Sequence, residues 1–185
     1  MLEGTRHFHA VRFYYDANGL CEIVTDFVAE GLNAGQPAVV VAAPAHSARI
    51  ETLLRARGFD VAGLKRSGDL FIKDAAATLA SVVLNRMPDE GRFRRVLGPM
   101  IESAAGSSRR TVRVYGEMVD ILWKAGSTDA ARHLETLWNG LSSTHVFVLL
   151  CAYALEGISH TTHISEICGL HTHVLAANGD VTPAH

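Results

Sequence analysis

Two apolar runs without alternation constrain the fold of this chain more than any other feature of its sequence. Pro37 to Ala43 and Val146 to Tyr153 both lack the alternation of polar and apolar residues that marks a strand with one face in water. Such runs are typical of strands that helices cover on both faces, as in a mainly parallel sheet. They therefore favour a layered fold with a buried sheet.

Extended and helical patterns alternate around these runs. Further strands are predicted over Phe8 to Tyr15, Leu70 to Lys73 and Thr111 to Tyr115. Apolar residues at helical spacing predict helices through 20–32, between Pro44 and Gly58, and over 74–85, 93–105, 118–124 and 128–141. Strands that alternate with helices predict an α/β fold, a three-layer sandwich whose mainly parallel central sheet has helices on both faces.

The carboxyl-terminal part has weaker patterns. Ile164 to Leu175 is compatible with a short helix, and we expect Ala176 to His185 to be frayed. No linker, repeat or low-complexity segment divides the sequence, so we expect one domain over residues 1–185 with its core over about 8–175.

Composition and charge narrow the class of protein. Hydrophobic residues make up 48% of the chain and charged residues 19%, which is typical of a globular protein. The formal net charge of -2 gives no attraction to nucleic acid or to an anionic membrane. No apolar run approaches the about 20 residues that span a bilayer, and residues 1–6 lack the apolar stretch of a signal peptide. Three cysteines without paired spacing favour a reducing compartment, so we expect a cytoplasmic protein.

The turns after the strands are where such a sheet binds ligands. The first turn, Asp16 to Cys21, has neither the glycines nor the Lys-Ser/Thr pair that a phosphate-binding loop needs. The sequence also lacks a dinucleotide-binding glycine motif and a Gly-x-Ser-x-Gly nucleophile turn. These absences argue against the common nucleotide-binding and hydrolase classes.

Tyr115-Gly116-Glu117 is the most informative of the strand ends, because an apolar strand ends there in an aromatic residue, a glycine and a carboxylate. Glu117 there is compatible with a general base, a hydrogen-bond acceptor for a ligand, or a favourable charge at a helix start. Aromatic residues with few polar groups suit a small, largely apolar ligand. The aromatic residues available are Tyr14, Tyr15, Trp123, Trp138 and Tyr153, and the two tryptophans are equally compatible with the core.

Histidines and cysteines offer weaker signals. His160, His163, His171 and His173 are close in sequence, but no cysteine joins them at zinc-finger spacing, so we expect surface histidines and no metal. Cys151 lies within an apolar strand, where a thiol behaves as a small buried hydrophobe. We expect no catalytic residue and no cofactor.

A pattern over most of the chain resembles a known family. Its most specific part is Gly116-Glu117-Met118-Val119 with Leu122-Trp123, followed by Leu134-Glu135 and Trp138-Asn139. The whole pattern resembles the MEDS domain, a sensory domain of prokaryotic signalling proteins, over about 9–174. Its other members are His9, Phe13-Tyr14-Tyr15, Gly31-Leu32, Gly35, Val39 to Val41, His46, Leu149 to Tyr153, Ile167-Cys168 and His171.

This resemblance implies the fold of the clock and recombinase P-loop ATPases, here without the phosphate loop. It implies a non-catalytic sensory domain that binds a small, hydrocarbon-derived ligand and signals to a histidine kinase or a transcription regulator, as a monomer or homodimer. Glu135 and Asn139, one turn apart, are expected to order their helix. Two alternatives stay open: a nucleotide-binding or nucleotide-hydrolysing relative of clock-type ATPases, with Glu117 or Asp120 near magnesium, and a ligand-independent protein-interaction adaptor. The ligand-binding candidates are His9, Tyr15, His46, Tyr115, Gly116, Glu117, Trp123, Trp138 and Tyr153.

Overall fold

The computed structural model describes residues 8–155, 161–176 and 180–184, without the side chains of 161–163. In chain order the elements are β1 Phe8–Tyr14, α1 Ala17–Asn33, β2 Ala38–Ala42, α2 Pro44–Ala56, α3 Val61–Ser67, β3 Leu70–Asp74, α4 Ala75–Val82, β4 Val83–Leu84, β5 Met87–Pro88, α5 Glu90–Ala105, β6 Val112–Gly116, α6 Met118–Lys124, α7 Thr128–Ser142, β7 Phe147–Ala154, α8 Thr161–Cys168, β8 His173–Leu175 and β9 Val181–Pro183.

The main sheet has the strand order β3-β2-β6-β7-β1-β8-β9. Its neighbouring strands are parallel, except that β8 and β9 pair in the antiparallel direction. The central strands β2, β6 and β7 are buried along their whole length, and for β2 and β7 this agrees with the non-alternating sequence runs.

Helices cover both faces of the sheet. On one face, α1, α2 and α3 pack on side chains such as Val40 and Leu150. On the other face, α4, α5, α6, α7 and the end of α8 pack on side chains such as Val114 and Leu149. Because side chains alternate along a strand, neighbouring strand residues contribute to opposite cores. The predicted three-layer α/β sandwich with a mainly parallel sheet is confirmed.

Aspartates begin several helices. Asp16, Asp60, Asp74 and Asp89 each accept hydrogen bonds from backbone N–H groups in the first turn of the following helix. These side chains satisfy N–H groups that have no partner within the helix and place a negative charge at the positive end of the helix dipole. Two of the parallel strands, β1 and β3, therefore lead directly into helices capped by an aspartate.

The structure differs from the sequence predictions mainly near the carboxyl terminus and around α3. Helix α3 was not predicted. The predicted helix over Ile164 to Leu175 is instead a helix that ends at Cys168 and a strand that starts at His173. Residues 181–183, in the tail that we expected to fray, form β9 and pair with β8. In the described part of the chain, no helix is both long and apolar enough to cross a membrane.

Candidate functional site

Glu117 joins two strands and a helix at the carboxyl-terminal edge of the sheet. It directly follows β6, and only 4% of it is exposed. Its Oε2 accepts a hydrogen bond of 2.7 Å from the backbone N–H of Ala43, at the end of β2. Its Oε1 accepts one of 2.8 Å from the hydroxyl of Tyr115 and lies 2.7 Å from Nδ1 of His46 in the first turn of α2. Both carboxylate oxygens are thus bound by the protein itself.

The protonation of this carboxylate's partners follows from its charge. The hydrogen bond that His46 donates to Glu117 raises the pKa of His46 above its ordinary value, because it outweighs the opposite effect of burial. Burial, with the nearby charge of Glu117, raises the pKa of Tyr115 well above its usual value. Tyr115 is therefore a neutral donor, and His46 is poised to carry a positive charge over a buried negative one.

Asp120 forms a second junction one turn into α6. Its Oδ1 accepts a hydrogen bond of 2.8 Å from the backbone N–H of Ala154, the last residue of β7. Its Oδ2 accepts one of 2.8 Å from the hydroxyl of Tyr14, at the end of β1, and lies 2.7 Å from Nζ of Lys124. Burial, together with Asp120, raises the pKa of Tyr14. We call these residues, Tyr14, Ala43, His46, Tyr115, Glu117, Asp120, Lys124 and Ala154, the strand-end network.

The turn between β1 and α1 is closed by its own carboxylate. Asp16 accepts hydrogen bonds from the backbone N–H groups of Asn18, at 3.2 Å, and Gly19, at 2.9 Å. In a phosphate-binding turn, such N–H groups point at the anion. Here they already have an anionic partner, in agreement with the missing glycine and lysine residues.

A separate polar cluster lies on the opposite face of the sheet, beneath α7. His9 on β1, Glu135 on α7, Cys151 on β7 and His171 before β8 are at most 2% exposed, and we call them the buried cluster. Nε2 of His9 lies 3.2 Å from Oε2 of Glu135 and 3.4 Å from Sγ of Cys151. Cys151 Sγ lies 3.5 Å from the same carboxylate oxygen, and Nε2 of His171 lies 3.3 Å from Oε1.

Polar groups outside this cluster fix the orientation of its members. Nδ1 of His171 lies 2.7 Å from the carbonyl oxygen of Ile167, and Nδ1 of His9 lies 2.8 Å from Oδ1 of Asn139. The Asn139 amide in turn donates to the carbonyl oxygen of Leu170 at 3.0 Å. The hydroxyl of Tyr153 donates to Oε1 of Glu135 at 2.7 Å. Both imidazoles therefore direct Nε2 at the carboxylate.

Burial controls the charges in the cluster. It lowers the pKa of His9 and raises the pKa of Cys151, whose thiolate would also be opposed by Glu135. Burial acts to raise the pKa of Glu135, but His171 and His9 outweigh it and hold that pKa below its usual range. The cluster thus contains an ionised carboxylate, a protonated thiol and a neutral His9.

The cluster also offers a set of metal ligands. One ligand atom from each of its four residues lies within 4.8 Å of the others. Histidine nitrogen, cysteine sulfur and carboxylate oxygen are the ligands that Zn²⁺ uses in proteins. The sequence analysis expected no metal, and of the late histidines that it considered only His171 belongs to this set, since His173 stacks on Phe8 with ring centroids 4.5 Å apart. His160 and the side chain of His163 lie outside the described residues.

The structure divides the ligand-binding candidates between the two faces of the sheet. His46, Tyr115 and Glu117 meet in the strand-end network, whereas His9 and Tyr153 lie beside Glu135 beneath α7. The rings of Trp123 and Tyr153 pack edge to face at 5.6 Å, and the Trp138 ring lies over Gly116, 3.7 Å from where a Cβ would stand. Tyr15, 77% exposed, directly follows β1 at the carboxyl-terminal edge of the sheet. Contact with a ligand stays a prediction for all of them.

Sequence reasoning missed how the polar residues combine. His171 is 2% exposed, so the expectation of a surface histidine was wrong for this residue. Cys151 is buried as predicted, but it contacts Glu135 and His9 rather than only apolar groups. Glu135 and Asn139 bond chiefly to distant residues. The sequence signal that could have indicated this is that His171, Cys151, Glu135 and Asn139 each have an apolar neighbour in the sequence.

Two open grooves lie near opposite ends of the sheet. One, of about 460 Å³, lies at the carboxyl-terminal edge between α2 and β3, beside the strand-end network; its lining includes Pro44, Ser47, Glu51, Ile72 and Asp74. The other, of about 320 Å³, lies at the opposite edge and is lined in part by Ile101, Arg109, Arg110 and His145. The first groove has the position expected of a ligand site in a parallel sheet.

Comparisons with known proteins agree with this architecture. A crystal structure of a KaiC-like protein from the hyperthermophilic archaeon Pyrococcus horikoshii OT3 superposes with a TM-score of 0.62 at 15% identity, over 90% of this chain and 70% of that one. At this identity the likeness shows the fold alone, and it supports the relation to the clock-type fold that the resemblance implied. No curated protein sequence matches the chain significantly. The family model described as the MEthanogen/methylotroph, DcmR Sensory domain matches residues 8–172, and the chain therefore belongs to the MEDS sensory-domain family.

Proposed function

We propose that this sensory domain binds a small, hydrocarbon-derived molecule at the carboxyl-terminal edge of its sheet and signals to a partner protein without catalysing a reaction. The observation that carries the proposal is the saturation of the two buried carboxylates. Glu117 and Asp120 each have both oxygens hydrogen-bonded to protein groups. A carboxylate held in this way connects strand ends and is a poor general base, which needs an oxygen within reach of substrate.

The solvent-facing part of this edge provides contacts for a ligand. The side chains of His46 and Lys124 are 21% and 51% exposed, and Tyr15 is 77% exposed. Tyr15 offers an aromatic surface, while His46 and Lys124 offer hydrogen-bond donors to a polar substituent. A small molecule with one polar group and an apolar body matches this combination.

The same residues offer a route from binding to signalling. His46 holds the first turn of α2 to Glu117, and Lys124 holds the last turn of α6 to the hydroxyl of Tyr14 at the end of β1. A ligand that competes for either group changes how these helices are fastened to the strand ends. A partner, such as a histidine kinase or a transcription regulator, that contacts α2 or α6 differently in the two states would read the change.

The fold likeness to a KaiC-like protein favours one alternative, nucleotide binding. A phosphate at the β1–α1 turn would have to displace Asp16 from the N–H groups of Asn18 and Gly19. The turn supplies no lysine to compensate the phosphate charge. The other alternative is a ligand-independent protein-interaction adaptor, because such a function does not require a ligand pocket.

Thermal unfolding with two classes of probe tests the proposal. Dichloromethane and short-chain alcohols are compared with ATP and ADP in magnesium, each over a range of concentrations. We expect the organic probes, and not the nucleotides, to raise the Tm. Tyr15→Ala should abolish this rise without changing the Tm of the free protein, because the side chain is exposed. Val146→Ala, at the opposite edge and 64% exposed, is the control that should keep it.

The other outcomes separate the alternatives. A Tm rise with magnesium nucleotides alone would overturn the proposal and favour a nucleotide-binding function. If neither class shifts the Tm, and a signalling partner is captured equally with and without the probes, the adaptor reading is correct.

A further inference from the structure

We propose that His9, Glu135, Cys151 and His171 form a closed binding site for one divalent zinc-class ion, which fastens the carboxyl-terminal segment of the domain to its sheet. This inference concerns the buried cluster and does not rest on a ligand at the strand ends. The ion is identified by the ligand chemistry, two imidazoles, a thiolate and a carboxylate, which suits Zn²⁺ and its spectroscopic substitute Co²⁺ better than Mg²⁺ or Ca²⁺.

The spacing of the ligand atoms carries the first step. With zinc–nitrogen bonds of about 2.0 Å and zinc–sulfur bonds of about 2.3 Å, neighbouring ligand atoms of a tetrahedral site lie about 3.3–3.8 Å apart. His9 Nε2, Glu135 Oε2 and Cys151 Sγ form a triangle with sides of 3.2, 3.4 and 3.5 Å. His171 Nε2 approaches from the other carboxylate oxygen, at 3.3 Å. Three ligand atoms already stand at coordination spacing, and all four lie within 4.8 Å of one another.

The orientation of the histidines carries the second step. A carbonyl oxygen can only accept a hydrogen bond, so the Nδ1 of His171 that faces Ile167 carries the proton. The amide nitrogen of Asn139 donates to Leu170, so Oδ1 of Asn139 accepts the Nδ1 proton of His9. Nε2 of each imidazole therefore faces the carboxylate and is the atom available to a metal ion. Metal-binding histidines have this arrangement, with the second N–H held by a carbonyl or amide oxygen.

A buried nitrogen without a hydrogen bond carries the third step. Nε2 of His171 is fully buried and, among the described residues, makes no hydrogen bond, although Oε1 of Glu135 is 3.3 Å away. A buried polar atom normally has a hydrogen-bond partner. A cation between His171 and Glu135 supplies the partner that this nitrogen lacks.

Charge balance and closure define the kind of site. When the ion binds, the thiol of Cys151 loses its proton to solvent, and a thiolate, a carboxylate and two neutral imidazoles compensate a charge of +2. All four residues are at most 2% exposed, which leaves no open position for a substrate. Zinc sites with four protein ligands are structural rather than catalytic.

The positions of the ligands explain what the ion holds together. His9 and Cys151 lie on the neighbouring strands β1 and β7, and Glu135 lies on the covering helix α7. His171 lies between α8 and β8, in the segment that adds β8 and β9 to the edge of the sheet. The ion thus connects this late segment to the central sheet, and its release requires the segment to open locally.

Titration of Co²⁺ into the chelator-treated chain tests the site without any variant. We expect one equivalent to bind, with the strong visible bands of tetrahedral cobalt and a near-ultraviolet charge-transfer band from cobalt-bound thiolate. Cys151→Ser should lose the charge-transfer band. Cys21→Ser, which removes a buried thiol on the opposite face of the sheet, should retain both features.

Competition with a chromophoric chelator gives the affinity for Zn²⁺. His171→Gln should weaken it at least tenfold, whereas His145→Gln, whose ring faces the exposed Glu102, should leave it unchanged. If folded wild-type protein gives no tetrahedral cobalt spectrum, the proposal is overturned and the cluster is held by hydrogen bonds alone. A spectrum that depends on Cys21 and not on Cys151 would overturn it equally.

The two proposals fail independently of each other. Loss of the Tm rise with organic probes, while cobalt still binds at Cys151, removes only the strand-end ligand. Absence of cobalt binding, while Tyr15→Ala still abolishes the organic-probe response, removes only the metal site.

Discussion

Nδ1 of His46 lies 2.7 Å from Oε1 of Glu117, so the first turn of α2 is tied to the end of β6 by a bond whose strength depends on protonation. The Glu117 side chain is only 5% exposed, and the His46 side chain is 21% exposed. Water therefore screens this contact less than a surface pair. The bond is strongest when His46 is charged, because a charged donor strengthens a hydrogen bond to a carboxylate.

We expect this pair to make stability depend on pH in one direction. The pKa of His46 is raised in the folded state by its hydrogen bond to Glu117, from an unfolded value of about 6.5. Its contribution is therefore fully present below about pH 6.5 and is lost as pH rises through the higher folded pKa. Urea unfolding of wild type and His46→Gln should differ more at pH 6 than at pH 9, by on the order of 1 kcal/mol.

The exposed pair of His145 with Glu102 provides the control for this pH dependence. The Glu102 side chain is 69% exposed, so solvent screens the contact. His145→Gln should change the free energy of unfolding by nearly the same small amount at both pH values. A destabilisation by His46→Gln that grows as pH rises would contradict the expected direction.

Loss of Asp120 should destabilise the domain strongly. Asp120→Ala leaves the hydroxyl of Tyr14 and the backbone N–H of Ala154 without the carboxylate that accepts from them, in a buried place. We expect a loss of about 3 kcal/mol in the free energy of unfolding, measured with urea. Lys124→Gln should cost at most about 1 kcal/mol, because that side chain is 51% exposed. Equal losses in the two variants would show that the ion pair, and not the buried junction, matters.

Local sequence patterns were sufficient for most of the fold. The runs over Pro37 to Ala43 and Val146 to Tyr153 are apolar because both faces of β2 and β7 are covered, and this burial is visible in the sequence. β9 was not visible, because Val181–Pro183 is exposed and gains its order from pairing with β8. Helix α3 was missed because only Val61 of its residues is buried, which leaves little apolar periodicity.

The polar sites were harder to predict because their partners are distant in sequence. Glu135 and Asn139 are one turn apart, so the helical spacing suggested a local pair. Glu135 instead contacts His9 on β1, Tyr153 on β7 and His171 between α8 and β8, all of which are distant from it in sequence. The alternation rule places His9 and Tyr115 on opposite faces only together with the strand register, in which His9 and Val114 both align with Leu149, and the sequence does not supply that register.

The surroundings of two glycines, Gly31 in α1 and Gly140 in α7, predict opposite effects of substitution by alanine. A Cβ at Gly31 would stand 2.4 Å from Cγ of Arg113, whose side chain is 5% exposed and lies over the Phe27 ring. Gly31→Ala should therefore cost about 1–3 kcal/mol despite the better helix propensity of alanine. At Gly140 in α7 the nearest atom would be a terminal nitrogen of Arg94 at 3.7 Å, so Gly140→Ala should stabilise by up to about 1 kcal/mol. Thermal or urea unfolding distinguishes the two, and a stabilising Gly31→Ala would contradict the packing described for Arg113.

Asn139 should act as a positioning residue for the proposed metal site, because its Oδ1 holds the Nδ1 proton of His9 while its amide nitrogen is held by Leu170. Asn139→Ala should weaken Zn²⁺ binding by about 10–100-fold, the usual effect of removing a hydrogen-bond partner of a metal-bound histidine. Asn139→Asp keeps an oxygen opposite His9 and should restore most of the affinity, even though it loses the donor to Leu170. Chelator competition on both variants separates this role from a purely structural one. If Asn139→Ala lowers stability but leaves the affinity unchanged, the residue supports the fold without orienting a ligand.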